Sequence, residues 1–198
     1  MKLRQSIQAH PALVCKDHSL GAEFLDLLPF SLTGAQTRVV NEIEQDLSRG
    51  IPMLRLVQGD VGSGKTVVAA LAALSVMNTG AQVALMAPTE ILAEQHLSNF
   101  QQWFESLSID NKNPIKIAWL SGKTKGKTRE KSLEAIRTGE ANIVIGTHAL
   151  FQDEVEFHSL ALAIIDEQHR FGVHQRLSLK NKGLKNGWVP HQLIMTAT

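Results

Sequence analysis

Apolar residues along this 198-residue chain fall into two rhythms. One is the short, nearly unbroken run: "MLRLVQ", "AQVALMA", "IKIAWL", "ANIVIGT", "LALAIID" and "HQLIMTA". Runs so short and so rich in Val, Ile and Leu suit strands covered on both faces better than strands of an antiparallel sandwich. The other rhythm is helical. "LTGAQTRVVNEIEQDLSRG" offers Thr33 as a start residue, sets Val39, Val40, Ile43 and Leu47 on one face, and stops at Gly50. An Ala-rich helix follows "GDVGSGKT" and ends near "NTG", and another enters at "PTEILAEQHLSNFQQWF". "KTREKSLEAIRTG" and the stretch after Phe171 supply further helical material. Strands alternating with helices predict an α/β fold, a mostly parallel central sheet with helices on both faces. Residues 1–29, where His, Pro and Gly interrupt scattered apolar positions, read as a linker or the tail of a preceding domain. Residues 30–198 read as the folded lobe.

Composition adds bounds. With 43% hydrophobic residues the chain can bury a core of ordinary size. A net charge of +1 gives no global basic signature, so any nucleic-acid surface must be local. The lone Cys15 excludes an internal disulfide framework and points to a reducing compartment. "MKLRQSIQAHP" lacks the apolar core of a signal peptide. "VVAALAALSVM", the most apolar stretch, falls short of the about 20 residues a bilayer span needs. A soluble, cytoplasmic protein without a membrane partner is expected.

The chemistry begins at "GDVGSGKT", which fits G-x-x-x-x-G-K-[ST]. Glycines let a backbone curl until successive N–H groups face phosphate oxygens, and the helix that follows adds its dipole. Gly59, Asp60, Val61, Gly62, Ser63, Gly64, Lys65 and Thr66 are therefore candidates for cradling ATP. Lys65 is placed to reach the β- and γ-phosphates, and Thr66 to offer its hydroxyl to Mg²⁺. Average residue usage puts a random match in a chain of this size at roughly one in a hundred. A strand before the motif and a helix after it are the context the mechanism demands.

"LALAIIDEQHRFG" ends a buried run in two carboxylates. Beside a phosphate loop, Asp166 becomes the acid that reaches the metal, and Glu167 the group that polarises the attacking water. Without that loop, a strand leaving a core in polar residues would explain the pattern equally well. Other phosphate-loop classes fit poorly. The string nearest a guanine-reading N-K-x-D is "NKNP", with Pro114 where the acid belongs, and no arginine-rich kinase lid is evident.

"DEQH" (Asp166 to His169) resembles the DExH box of superfamily-two helicases. "PFSLTGAQ" resembles their Q motif, "APTEILAEQH" motif Ia, "IGTHALF" motif Ib and the terminal "TAT" motif III. Together with "IIDEQHRFGVHQR", these strings are similar to those of the RecG family of bacterial branch-migrating DNA helicases, over nearly everything from Phe30 to Thr198. Ser63 and Gln168 favour that family over the transcription-repair coupling factor, a double-stranded DNA translocase that typically carries Phe and Glu there. The resemblance implies a RecA-like lobe, with Phe30 and Gln36 on the adenine and His169 linking Glu167 to motif III. It also implies a fork-gripping wedge and a second RecA-like lobe that this sequence lacks. Arginine fingers from that second lobe are worth about 10³–10⁵ in rate in related systems, so the lobe alone is expected to bind nucleotide weakly and turn it over poorly. Branched or forked DNA is the implied partner. A non-motor nucleotide-binding module stands as the rival from another class.

Thr89, Thr147 and His148 are candidates for DNA-backbone contact, since hydroxyls and helix-start amides suit phosphate. Thr89 also reads as an ordinary N-cap and His148 as a surface histidine. "SGKTKGKTREK" (Ser121 to Lys131) is the densest basic stretch, either a DNA contact or a solvated loop.

Overall fold

The computed structural model describes residues 11–59, 64–109, 111–166, 173–184 and 186–197. Its strands are β1 (Leu54–Gln58), β2 (Gln82–Met86), β3 (Ser108–Ile109), β4 (Asn113–Pro114), β5 (Ile117–Leu120), β6 (Ile143–Gly146), β7 (Leu160–Asp166) and β8 (His191–Thr196). All six apolar runs are strands of one sheet, in the order β1–β8–β7–β2–β6–β5. Every neighbouring pair in it is parallel. The remaining two, β3 and β4, form a small antiparallel ribbon that the sequence reading did not foresee.

Around the sheet lie α1 (Ser19–Leu27), α2 (Gly34–Leu47), α3 (Lys65–Met77), α4 (Glu90–Phe104), α5 (Gly126–Thr138) and α6 (Val173–Leu184). Side chains alternate across a strand, so each strand feeds two cores. Val83 and Leu85 of β2 join Phe24, Ile43, Leu74 and Phe100 from α1, α2, α3 and α4. Ala84 and Met86 join Ile136 of α5, Leu179 of α6 and Leu150 of a 3-10 turn, His148–Phe151, on the other face. Helices thus cover both faces, as the alternation of elements predicts.

Helix α3 is buried at every residue from Val67 to Met77, because α1 and α2 lie against it while it packs on the sheet. A helix apolar all round is stable only when enclosed in this way. The stretch set apart in the sequence as a linker or tail contributes to that enclosure from Ala12 onward. Ala12, Cys15, Leu20 and Phe24 are all buried, and Phe24 packs edge-on to Phe104 with ring centroids 6.1 Å apart. His18 Nδ1 lies 2.9 Å from Ser75 Oγ of α3. Burial pushes the Cys15 thiol up to about 11, which leaves it a packing residue.

Buried polar side chains tie the amino-terminal edge of the sheet. His191 donates from Nε2 to the Leu13 carbonyl at 2.8 Å and accepts the Met53 N–H at Nδ1 at 3.0 Å. Gln82 donates from one amide nitrogen to the carbonyls of Ile136 and Ala141 and accepts the Ser159 N–H. The opposite edge, where all six strands end, is left for chemistry. This is where open parallel sheets hold ligands.

Candidate functional site

Gly59 follows β1, and its N–H donates to the Thr196 carbonyl of β8 at 3.2 Å. Asp60, Val61, Gly62 and Ser63 lie outside the described residues. Gly64 caps α3 with φ +83°, a left-handed conformation that favours glycine. A Cβ there would also stand 1.9 Å from Gln36 Nε2. Among the described residues no side chain caps the start of α3. Lys65, the first helical residue, donates from Nζ to the Thr196 carbonyl at 3.0 Å. Thr66, next to it, is half-buried.

Beside this turn lies a cavity of about 300 Å³ lined by Thr33, Ala35, Gln36, Val39, Gly64 and Lys65 among others. Gln36 belongs to a capping box on α2. Its Oε1 accepts the Thr33 N–H at 2.8 Å, Thr33 Oγ1 accepts the Gln36 N–H at 3.2 Å, and the amide nitrogen faces Gly64. The structure brings Gln36 to the phosphate-loop glycine but leaves Phe30 half exposed and out of the cavity wall.

Asp166 closes β7. In register, Asp166 stands beside Met195, and the next residue of β8, Thr196, stands beside Gln58 of β1. Two strand spacings, roughly 10 Å, thus separate the ends that carry Asp166 and the phosphate turn. Lys65 and Asp166 emerge at the same edge with Thr196 between them. Glu167, His169 and Thr198 lie outside the described residues.

Asp166 Oδ2 accepts a hydrogen bond from His96 Nε2 of α4 at 2.6 Å. Three buried polar atoms along this edge have no partner among the described residues: Thr196 Oγ1, His96 Nδ1 and, at the start of α4, Glu90 Oε1. Such orphans are costly in a protein interior and are expected where a ligand or water completes the site. A hydroxyl and a carboxylate are hard oxygen donors of the kind Mg²⁺ takes. No group of three or more His, Cys, Asp or Glu side chains among the described residues could hold a metal.

The other half of the edge is built from the ends of β2, β6 and β5. Exposed Thr89 accepts the Leu92 N–H at 3.3 Å and so caps α4. Thr147 and His148 follow β6 and are half-buried, with the His148 ring edge-on to Phe151. Gly146, just before them, approaches β5 so closely that a Cβ would meet the Leu120 carbonyl oxygen at 1.8 Å. A hydrogen bond from Ser121 first, and Lys123 second, lower the pKa of Glu90; Lys123 Nζ lies 3.4 Å from its Oε2, while Oε1 is buried without a partner among the described residues. In the basic stretch Arg129 is turned inward to Gln152 and Glu154, while Lys123 is 86% exposed.

Sequence reasoning missed His96. Ala93, His96, Phe100 and Phe104 form the buried stripe of α4, so a histidine where an apolar residue belongs was the available signal.

Among the described residues no helix is long and apolar enough to cross a membrane. The family model described as DEAD/DEAH box helicase matches residues 33–198. The chain is 62% identical over 194 residues to the ATP-dependent DNA helicase RecG of Pasteurella multocida (strain Pm70), covering 98% of this chain and 27% of that protein. It is 58% identical over 189 residues to the protein of the same name from Escherichia coli (strain K12), covering 96% of this chain and 26% of that protein. Among solved structures, RecG bound to a three-way DNA junction aligns with a TM-score of 0.81 and 43% identity, over 99% of this chain and 25% of that chain. The chain spans about a quarter of the length of these relatives. The similarity to RecG read from the motifs extends along nearly the whole chain. With its helicase model matched over most of its length and its sheet in RecA-like form, the chain belongs to the DEAD/DEAH box helicase family.

Proposed function

We propose that this chain is the first motor lobe of an ATP-dependent DNA helicase of the RecG type, acting on branched or forked DNA in the cytoplasm. The lobe takes in residues 12–29, whose buried side chains complete its core, as well as Phe30 to Thr198, and works against a second RecA-like lobe of the same protein. One observation carries the reading: Lys65 and Asp166 emerge at one sheet edge, flanking a buried Thr196 hydroxyl that lacks a partner among the described residues.

In this reading the backbone from Gly59 through Asp60, Val61, Gly62 and Ser63 to Gly64 cradles the phosphates of ATP, and Lys65 neutralises their outer charge. Gln36 takes the adenine side, and Phe30, which stands outside the cavity wall, would have to swing in to stack on the base. Thr66 and Asp166 hold Mg²⁺, which offsets charge on the phosphate oxygens when bound. Glu167 accepts the proton of the attacking water, and His169 ties that carboxylate to the motif ending at Thr198. Thr89, Thr147 and His148 contact DNA phosphates from the other half of the edge, without reading sequence. Arginine fingers come from the second lobe, so this lobe alone turns over ATP poorly.

ATP turnover by the intact protein, with branched, linear and no DNA, tests the proposal. Branched DNA should stimulate most. Glu167→Gln should retain nucleotide binding while losing turnover, and Lys65→Ala should lose both. Turnover indifferent to DNA, or undiminished in Glu167→Gln, would remove the motor reading.

A further inference from the structure

We infer that His96 is a positioning residue for Asp166: its Nε2–H holds one carboxylate oxygen and leaves the other for the metal. The inference rests on the reading of Asp166 as the metal-holding acid.

The contact is short, 2.6 Å, and the two side chains are only 9% and 14% exposed. A carboxylate accepts, so Nε2 is the donor. The bond spans 70 residues of sequence and joins α4 to the last residue of β7. An aspartate at a strand end can rotate about its side-chain torsions. A buried donor on one oxygen removes that freedom and fixes which oxygen faces the phosphate turn. Partners of this kind set the geometry and basicity of metal-binding groups in general.

His191 shows what a purely architectural histidine looks like in this fold. Both of its ring nitrogens are used, each by a main-chain group. His96 differs. It occupies a place in the apolar stripe of α4 that would otherwise hold a hydrophobic residue, beside Ala93 and Phe100. Its Nδ1 is buried with no partner among the described residues. Burying a half-satisfied ring there weakens the fold relative to a leucine, and its bonded side points at a functional acid. The arrangement is explained by Asp166 rather than by packing.

The test measures nucleotide affinity rather than turnover. The intact protein is titrated with a fluorescent ADP analogue at a series of MgCl₂ concentrations and with no metal. His96→Leu should raise the Mg²⁺ concentration for half-maximal tightening by about 10-fold and leave metal-free affinity unchanged. His96→Gln can donate to the same oxygen and should return the midpoint to within about 3-fold of wild type. His96→Asn, whose amide stops short of the carboxylate, should behave like His96→Leu, and it keeps the comparison available if leucine disturbs the fold. A wild-type Mg²⁺ midpoint in His96→Leu or His96→Asn, or a His96→Gln as impaired as they are, overturns the inference. Asp166→Asn separates this failure from failure of the underlying reading. If that variant retains wild-type Mg²⁺ dependence, Asp166 is not the metal-holding acid, whatever His96 does.

Discussion

The two halves of the sheet's carboxyl edge are built differently. At the ends of β1, β8 and β7 the polar groups are poised but incomplete: among the described residues α3 starts without a side-chain cap, and Thr196 Oγ1 is buried without a partner. At the ends of β2, β6 and β5 more of the polar groups find side-chain or main-chain partners, although Glu90 Oε1 is buried without one among the described residues. Thr89 closes its own helix turn, Ser121 and Lys123 hold Glu90, and Arg129 is occupied by Gln152 and Glu154. A compact ligand with fixed charges can complete the first half. Helix α4 joins the two, with Thr89 at its start and His96 seven residues on, about 10 Å along the axis.

If the halves are separate in this sense, lesions should separate them. Gly64→Ala attacks only the first. It forces a Cβ onto a left-handed residue and into Gln36, and should weaken nucleotide binding about 100-fold, the worth of one or two charge-assisted hydrogen bonds. Isothermal titration would read this, with DNA affinity within about 2-fold of wild type. Gln82→Leu sits at the opposite edge and strips partners from Ile136, Ala141 and Ser159. It should lower unfolding stability by about 3 kcal/mol in urea, without favouring either half. Thr89→Ala attacks only the second half, lowering stability by about 1 kcal/mol and DNA affinity about 5-fold, with the salt dependence unchanged because no charge is lost. Thr89→Ser should restore both.

The smallest effect expected is a pH dependence belonging to neither half. Burial holds the pKa of His191 below the ordinary 6.5, so the folded state favours the neutral ring. Between the two values the unfolded chain binds the extra proton. The contribution of His191 is thus complete above about pH 6.5 and shrinks as pH falls below it. Thermal melts from pH 7.5 to 5.5 should show Tm falling on acidification, with a shallower fall in His191→Gln.

The parallel sheet was legible because its strands are buried on both faces and so read as unbroken Val, Ile and Leu runs. Lys65 and Asp166 were singled out by short strings whose spacing phosphate chemistry would fix, and the structure places both at one sheet edge. Helix α1 was hidden by its flanks and by Gly21, where a Cβ would come within 3.3 Å of Leu71; tertiary packing on α3, not local propensity, makes it a helix. The ribbon of β3 and β4 has two residues per strand, too few for any periodicity. His96 could not be assigned from its own neighbourhood, since its meaning comes from a strand end 70 residues away. Glu167 and His169 lie outside the described residues, so their roles rest on the motif and the proposal built on it.

The central claim is that one metal-bound triphosphate bridges the glycine turn and the acid at the end of β7. Nucleotide affinity of the intact Lys65→Ala and Asp166→Asn variants, with and without Mg²⁺, tests it most directly. Lys65→Ala should bind weakly in both conditions. Asp166→Asn should match wild type without metal and gain nothing when metal is added. An Asp166→Asn protein that Mg²⁺ tightens as strongly as wild type, or a Lys65→Ala protein with undiminished affinity, would contradict the account.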